Sequence, residues 1–173
     1  NTDEFLGNLA VIDGGILNGH IDSHRITWIG HSRGGEGVAR AYNRLVNGYS
    51  VQNYTASDVK LVSSIAPTTY SNPLSVDVGD VNYHLWVGSA DADVSGVPVQ
   101  THFYSLMERA SGARTSITLQ GAGHGAFHDG GGSLVASGPC IINRAETHQI
   151  MLGQFLPLVK HHIDGEPAAK DFL

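Results

Sequence analysis

The stretch Trp28-Ile29-Gly30-His31-Ser32-Arg33-Gly34-Gly35 constrains this chain more than any other. It sets a G-x-S-x-G motif, Gly30 to Gly34, between a short apolar run and an amphipathic segment. Ile26, Trp28 and Ile29 read as a strand over 25–29, buried on both faces. Val38, Tyr42, Leu45 and Val46 fall at i, i+4, i+7 and i+8, one face of a helix that runs to about Val46. A serine on a tight strand-to-helix turn holds its hydroxyl exposed at the positive end of the helix dipole. Such a turn is strained, and Gly30 and Gly34 are expected where a side chain would strike the neighbouring strand or helix. The alternative is a glycine-rich turn with an incidental serine. The strand before it and the helix after it favour a nucleophile.

The rest of the chain repeats the alternation. Residues 3–17 place Phe5, Leu9, Ile12 and Ile16 at helical spacing, interrupted by Gly14-Gly15, and a polar turn follows from Asn18 to Ser23. After the helix come a polar loop over 47–58, a second buried strand from Val59 to Ala66 closed by Pro67, and a loop to Asp80. A third strand spans Tyr83 to Val87. Pro98 opens a helix, since proline suits a first turn, with Val99, Phe103, Leu106, Met107 and Ala110 on its apolar face and Gly112 as its stop. Thr115 to Leu119 is a fourth strand, and a glycine-rich loop runs from Gly121 to Pro139. The last helix, about 143–163, buries Met151, Phe155, Leu158 and Val159, with a kink expected at Pro157. This order predicts an α/β fold: a parallel sheet of about four strands with flanking helices. The strands should lie in sequential order, with 25–29 at an exposed edge.

Composition narrows the classes. A chain of 173 residues, 41% hydrophobic and 15% charged, can bury the core of one globular domain. A net charge of −6 disfavours nucleic acid or an anionic membrane as partner. No apolar run approaches the roughly 20 residues of a membrane span. Cys140 is the only cysteine, so no disulfide can form within the chain. It reads as a free buried thiol, or as the partner of a cysteine in a segment outside this chain. The compartment stays open, secreted and periplasmic included.

In open parallel sheets, ligands bind at the carboxyl ends of the strands. Ser32 follows the first strand, Asp91 and Asp93 the third, and His124 and His128 the fourth. A serine hydroxyl needs a base within hydrogen-bond reach, and a carboxylate fixes the tautomer of a histidine base. Ser32 Oγ is therefore expected within hydrogen-bond reach of the histidine. Two metal readings compete. Asp91-Ala92-Asp93-Val94-Ser95-Gly96 mimics the first half of a calcium loop, but its twelfth position is His102 rather than a bidentate glutamate. His124-x-x-x-His128-Asp129 could serve zinc and a metal-dependent hydrolysis. It lies on a glycine-rich loop, however, and lacks the glutamate of H-E-x-x-H.

Other residues have plainer readings. His20 and His24 flank a polar turn and should be solvated, and His161-His162 closes a helix whose dipole favours a cation. His128 should pair locally with Asp129. His31 should point away from the serine and pack, and Trp28 and Trp86 should be core. Glu36 should be a surface complement to a helix N-terminus, and Arg33 meets either substrate or solvent.

Over about residues 24–165 the chain resembles the α/β-hydrolase superfamily. The matching pieces are Gly30-His31-Ser32-Arg33-Gly34, Gly88-Ser89-Ala90-Asp91-Ala92-Asp93-Val94 and Gly121-Ala122-Gly123-His124-Gly125-Ala126-Phe127. In the family the acid sits in a G-x-x-D-x-x-V stretch, which selects Asp91, and the base in G-x-x-H-x-x-F, which selects His124. More loosely, the chain is similar to the bacterial esterase branch near dienelactone hydrolases, chlorophyllases and polyester-degrading cutinases. The resemblance implies a serine hydrolase acting on small or polymeric carboxylic esters, with no cofactor and no metal. Ser32 would be the nucleophile, His124 the base, Asp91 its orienting acid, and the backbone N–H of Arg33 an oxyanion donor.

One departure is large. The family's sheet has eight strands, and this chain matches only the second half. Nothing here corresponds to the loop that carries the other oxyanion donor. Residues 1–173 therefore read as a single partial domain whose missing N-terminal strands would pack on the edge strand at 25–29. Alone it should hydrolyse esters slowly, because one lost donor costs about 3–4 kcal/mol. The reading from a different class is a non-catalytic hydrolase-like binding module, or an inactive fragment.

Overall fold

Four short strands carry the molecule: β1 (Ile26–His31), β2 (Val59–Ile65), β3 (Asn82–Gly88) and β4 (Arg114–Leu119). The computed structural model describes residues 1–68, 76–94 and 104–173. All four strands are parallel, in the order β1-β2-β3-β4. The burial of each strand follows from its place. β2 and β3 are central and buried on both faces, as near-continuous apolar runs require. β4 is an edge strand, and its sequence Arg-Thr-Ser-Ile-Thr-Leu alternates with exposure. β1 is the other edge. It is not buried on both faces as its apolar sequence implies: Ile29 is 52% exposed. A strand paired on one side only leaves its outer edge uncovered.

Helices cover both faces. α2 (Arg33–Val46) and α3 (Tyr104–Glu108) pack with Val62, Tyr83, Leu85 and Val87 in one core cluster. α4 (Arg144–His162) packs with Ile65, Trp86, Leu119 and Phe127 in another. Tyr83, Leu85 and Val87 alternate with Trp86 because successive strand residues face opposite ways. Trp86 stacks on Phe155 of α4 with ring centroids 5.7 Å apart. α4 starts at a reciprocal capping box between Asn143 and Glu146 and continues through Pro157 as one element. Leu158 is buried, whereas Met151, Phe155 and Val159 are half-buried.

Several expectations change. The segment 3–17 is not one helix. It forms α1 (Thr2–Gly7) and a separate 3-10 turn, Ile12–Gly15, where Asp13 and Gly14 adopt φ of 47° and 69°. Two adjacent glycines lose too much backbone entropy to sustain a helix there. Of the helix expected from Pro98, the part Tyr104–Glu108 is seen; Pro98, Val99 and Phe103 lie outside the described residues. Val76 and Val78, in a segment expected as loop, are buried in the core. Cys140 is exposed rather than buried. Trp28 is half-buried, its indole N–H donating to Thr2 Oγ1 at 3.2 Å, while Trp86 is core. Among the described residues, no helix is long and apolar enough to cross a membrane.

Candidate active site

Ser32 is the single residue between β1 and α2, with φ 57° and ψ −122°. A non-glycine residue in that region is strained and must be held there. Its N–H donates to Ile65 O at 2.9 Å, so the end of β2 fixes it from one side. Its carbonyl accepts from the N–H groups of Gly35 at 2.9 Å and Thr68 at 3.1 Å. Gly30 is required, since a Cβ there would collide with the carbonyl of Gly34. Gly34 is not: a Cβ there meets nothing within 4 Å. The second tight position is Gly35, where a Cβ would lie 3.0 Å from Pro67 Cβ. Beneath the turn, Tyr83 Oη donates to Ser64 Oγ at 2.8 Å, and Ser64 Oγ donates to Gly35 O at 2.8 Å.

Glu36 is a correction. It is buried, not a surface residue, and its carboxylate accepts from Arg40 Nε at 2.9 Å and Thr68 Oγ1 at 3.2 Å. The side chain of Arg33 is exposed.

The candidate acid and base come from the loops after β3 and β4. Asp91 is buried and orders its own loop: Oδ1 accepts from Asp93 N at 2.9 Å and Val94 N at 2.8 Å. Its other oxygen, Oδ2, lies 2.9 Å from His124 Nδ1. A carboxylate can only accept, so Nδ1 carries the proton. His124 opens a 3-10 turn, His124–Phe127, and is buried. Asp93 also touches the ring, with Oδ2 3.3 Å from Nε2 and a half-exposed side chain. The two carboxylates thus bracket one imidazole, one at each nitrogen. Ser32 Oγ makes no hydrogen bond to His124 among the described residues, so the direct serine–histidine bond expected from the sequence is not formed here. Burial disfavours a charged His124, but the Asp91 hydrogen bond, the Asp91 charge and the Asp93 charge outweigh it and raise its pKa.

A third segment holds the two loops together. Ala92 N and His124 N both donate to Val135 O, at 3.0 and 3.3 Å. Gly125 N donates to Leu134 O at 2.8 Å, Ser137 N donates to Ala90 O at 2.8 Å, and Asp91 bridges Ala136 in antiparallel fashion. Arg144, at the start of α4, donates from Nη2 to Gly125 O at 3.0 Å and to Gly131 O at 3.2 Å. The glycine-rich loop is therefore a clip that fixes Asp91 against His124.

His31 does not point away from the site. Its ring centroid lies 4.6 Å from that of His124, and its Nε2 donates to the His124 carbonyl at 3.1 Å. Burial and the neighbouring His124 lower its pKa, which favours its neutral form. His128 does not pair with Asp129. Its Nδ1 accepts from Gly130 N at 2.9 Å, and Asp129 lies 3.4 Å from His148. His24 is exposed but paired, 2.8 Å from Asp58. Of the calcium-like stretch, Ser95, Gly96 and His102 lie outside the described residues. No group of three or more His, Cys, Asp or Glu among the described residues is arranged to hold a metal ion.

Sequence reasoning missed Thr68 and the clip at 133–137, misread His31, and offered Asp93 only as a rival to Asp91, whereas both carboxylates touch the ring. His31 and Asp93 carried a signal, the one directly preceding the serine and the other two residues beyond Asp91. A groove of about 630 Å³ runs along β1 and α2 past Trp28, Ile29, Val38 and Leu45, but none of Ser32, Asp91 or His124 lines it. Compared with protein-family models and with curated proteins, the chain gives no match.

Proposed function

We propose that this chain carries the catalytic residues of a serine hydrolase that cleaves carboxylic esters, built as part of an α/β-hydrolase domain. The observation that carries the reading is the conjunction of a strained serine, φ 57°, at the mouth of α2 with a buried acid–histidine pair on the neighbouring strand ends. Neither feature is explained by packing. Strain at a serine and burial of a carboxylate both cost free energy, and both are tolerated where chemistry uses them.

The roles follow from the protons. Asp91 keeps the proton of His124 on Nδ1, so Nε2 is the basic nitrogen. Nε2 takes the Ser32 proton as Oγ attacks the ester carbonyl carbon. The carbonyl oxygen becomes an oxyanion beside the Arg33 N–H. Collapse of this intermediate breaks the ester bond, and the departing alcohol takes the proton back from Nε2. Water then attacks the acyl-serine with the same histidine as base, which releases the acid and restores Ser32. For this cycle Asp93 must leave Nε2, from which it is 3.3 Å away.

A fluorophosphonate tests the reading, since it phosphonylates only an activated serine. Labelling of the wild type, lost in Ser32→Ala and in His124→Ala, is the expected result. No labelling between pH 6 and 9 would sink the proposal for this chain. One observation favours the second reading, a non-catalytic module: Nε2 faces Asp93 rather than the serine hydroxyl. Under that reading Ser32 stays unlabelled even when Asp93 is replaced by asparagine.

A further inference from the structure

One group of buried polar side chains that the proposed cycle leaves unused lies directly behind the serine. Glu36 sits in the first turn of α2, and Thr68 follows the end of β2. Thr68 Oγ1 donates to Glu36 Oε2 at 3.2 Å, and Thr68 N donates to Ser32 O at 3.1 Å. Arg40 Nε binds the other carboxylate oxygen of Glu36 at 2.9 Å. The chain of contacts thus runs from a buried carboxylate, through one threonine, to the carbonyl of the candidate nucleophile.

That carbonyl matters because a peptide unit is rigid and trans. The C=O of Ser32 and the N–H of Arg33 belong to the same plane and point in opposite directions. Whatever fixes the carbonyl fixes the N–H. Gly35 N and Thr68 N hold it from two elements, one local and one across the sheet. The local bond turns with α2, whereas the Thr68 bond ties the plane to the body of the sheet. The approach is close: Ala66 adopts φ 40°, and Gly35 lies too near Pro67 to carry a side chain without displacement.

We propose that Thr68, locked by Glu36, is a positioning residue that aims the Arg33 N–H at the oxyanion. The proposal rests on the serine-hydrolase reading for its chemistry, but not for its geometry. An oxyanion donor acts only when preorganised toward the developing charge, and small misdirection costs rate rather than binding.

The test combines fluorophosphonate kinetics with the amide NMR resonance of Arg33. Thr68→Val removes the hydroxyl at nearly constant shape, and Thr68→Ser keeps it. Expected is a fall in the maximal phosphonylation rate of about tenfold or more in Thr68→Val, with the half-saturating concentration unchanged. The pH midpoint of labelling should also stay put, because Asp91 and His124 are untouched. Thr68→Ser should retain most of the rate. Glu36→Ala should behave like Thr68→Val, and Glu36→Gln, whose amide oxygen still accepts, like Thr68→Ser. In parallel, the Arg33 amide shift and exchange rate should move in Thr68→Val and not in Thr68→Ser. Should Thr68→Val fail to fold, Thr68→Ala carries the same expectations. Equal losses in Thr68→Ser and Thr68→Val would overturn the proposal, as would an Arg33 amide indifferent to both. If the wild type does not label, the serine reading fails, and the Arg33 amide alone decides the positioning.

Discussion

The strand-to-helix turn at Ser32, here called the elbow, and the Asp91–His124 pair are built by opposite means. Around Ser32 the geometry is local: Gly30, Ser32, Gly35 and Glu36 are nearly consecutive, and each is needed for its own size or charge. Asp91 and His124 lie on loops after different strands and meet only because a third segment, 133–137, pins both through backbone hydrogen bonds. Local construction makes each side chain at the elbow sensitive to substitution. Construction through backbone bonds leaves the side chains of 133–137 unspecified but demands close approach, since a Cβ at Gly123 or Gly125 would collide with the carbonyls of Leu134 and Ser133.

The sharpest way to break this comparison is to remove the acid. Asp91→Asn keeps the shape but can offer its NH₂ to Nδ1, which favours the wrong tautomer. Phosphonylation and ester hydrolysis should fall by about 10⁴-fold, with the fold retained. A loss under tenfold would mean that the clip does not present Asp91 for this purpose.

At the elbow the contrast is between two glycines of one motif. Gly30→Ala drives a Cβ into the Gly34 carbonyl and should cost about 3 kcal/mol of stability. Gly34→Ala enters open space at the start of α2 and should be neutral or slightly stabilising. Urea denaturation of the two variants measures the difference. Similar losses in both would show that the motif's second glycine is held by something other than steric room.

What could be read from the sequence follows the same division. The four strands, their parallel order and the edge position of β1 were legible because periodicity and alternation are local signals. So was the meeting of Asp91 and His124, since strand ends gather at one side of a parallel sheet. The clip was not legible. Val135 and Ala136 contribute backbone groups, and a carbonyl has no residue code. Glu36 was misread because a charged residue in the first turn of a helix usually faces water. Nothing in its neighbours announced that Thr68, 32 residues on, would cover it. The exposure of Ile29 was hidden for a related reason, since the apolar pattern of β1 does not record which of its faces lacks a cover.

Acid should weaken the strand that carries the acid loop more than the one that carries the elbow. His84 on β3 is buried, its Nδ1 accepts from Trp86 Nε1 at 2.8 Å, and its Nε2 has no hydrogen-bond partner among the described residues. Burial, with His162 nearby, depresses its pKa from 6.5 to about 3. The unfolded chain therefore binds a proton that the native state refuses. The stability concerned is complete above pH 6.5 and is lost as the pH falls toward 3. Between pH 7 and pH 5 the loss should be about 2 kcal/mol. In His84→Gln the difference in unfolding free energy between those two pH values should shrink by that amount, whatever the variant's absolute stability. An unchanged pH slope would assign the acid sensitivity elsewhere.

The smallest effect belongs to Asp93, and it asks whether the acid–base side has one carboxylate or two. Asp93 Oδ2 lies 3.3 Å from His124 Nε2, the nitrogen that would accept the serine proton in the proposed cycle. This contact is attractive only while the imidazole is doubly protonated, because a carboxylate facing a bare nitrogen lone pair is repelled. Asp93 thus supports the imidazolium and stands where the proposed cycle would bring the serine hydroxyl. Against the lowering by burial, it adds to the raised pKa of His124 after the larger contributions of Asp91. Asp93→Asn should lower the pH at which labelling reaches half its maximum and increase the rate near pH 6 a few-fold, with little change at pH 9. The effect is modest because the Asp93 side chain is 52% exposed and its charge is screened. The opposite outcome is informative as well. If Asp93→Asn slows labelling as severely as Asp91→Asn, both acids orient the base, and the division of labour between the buried and the exposed carboxylate collapses.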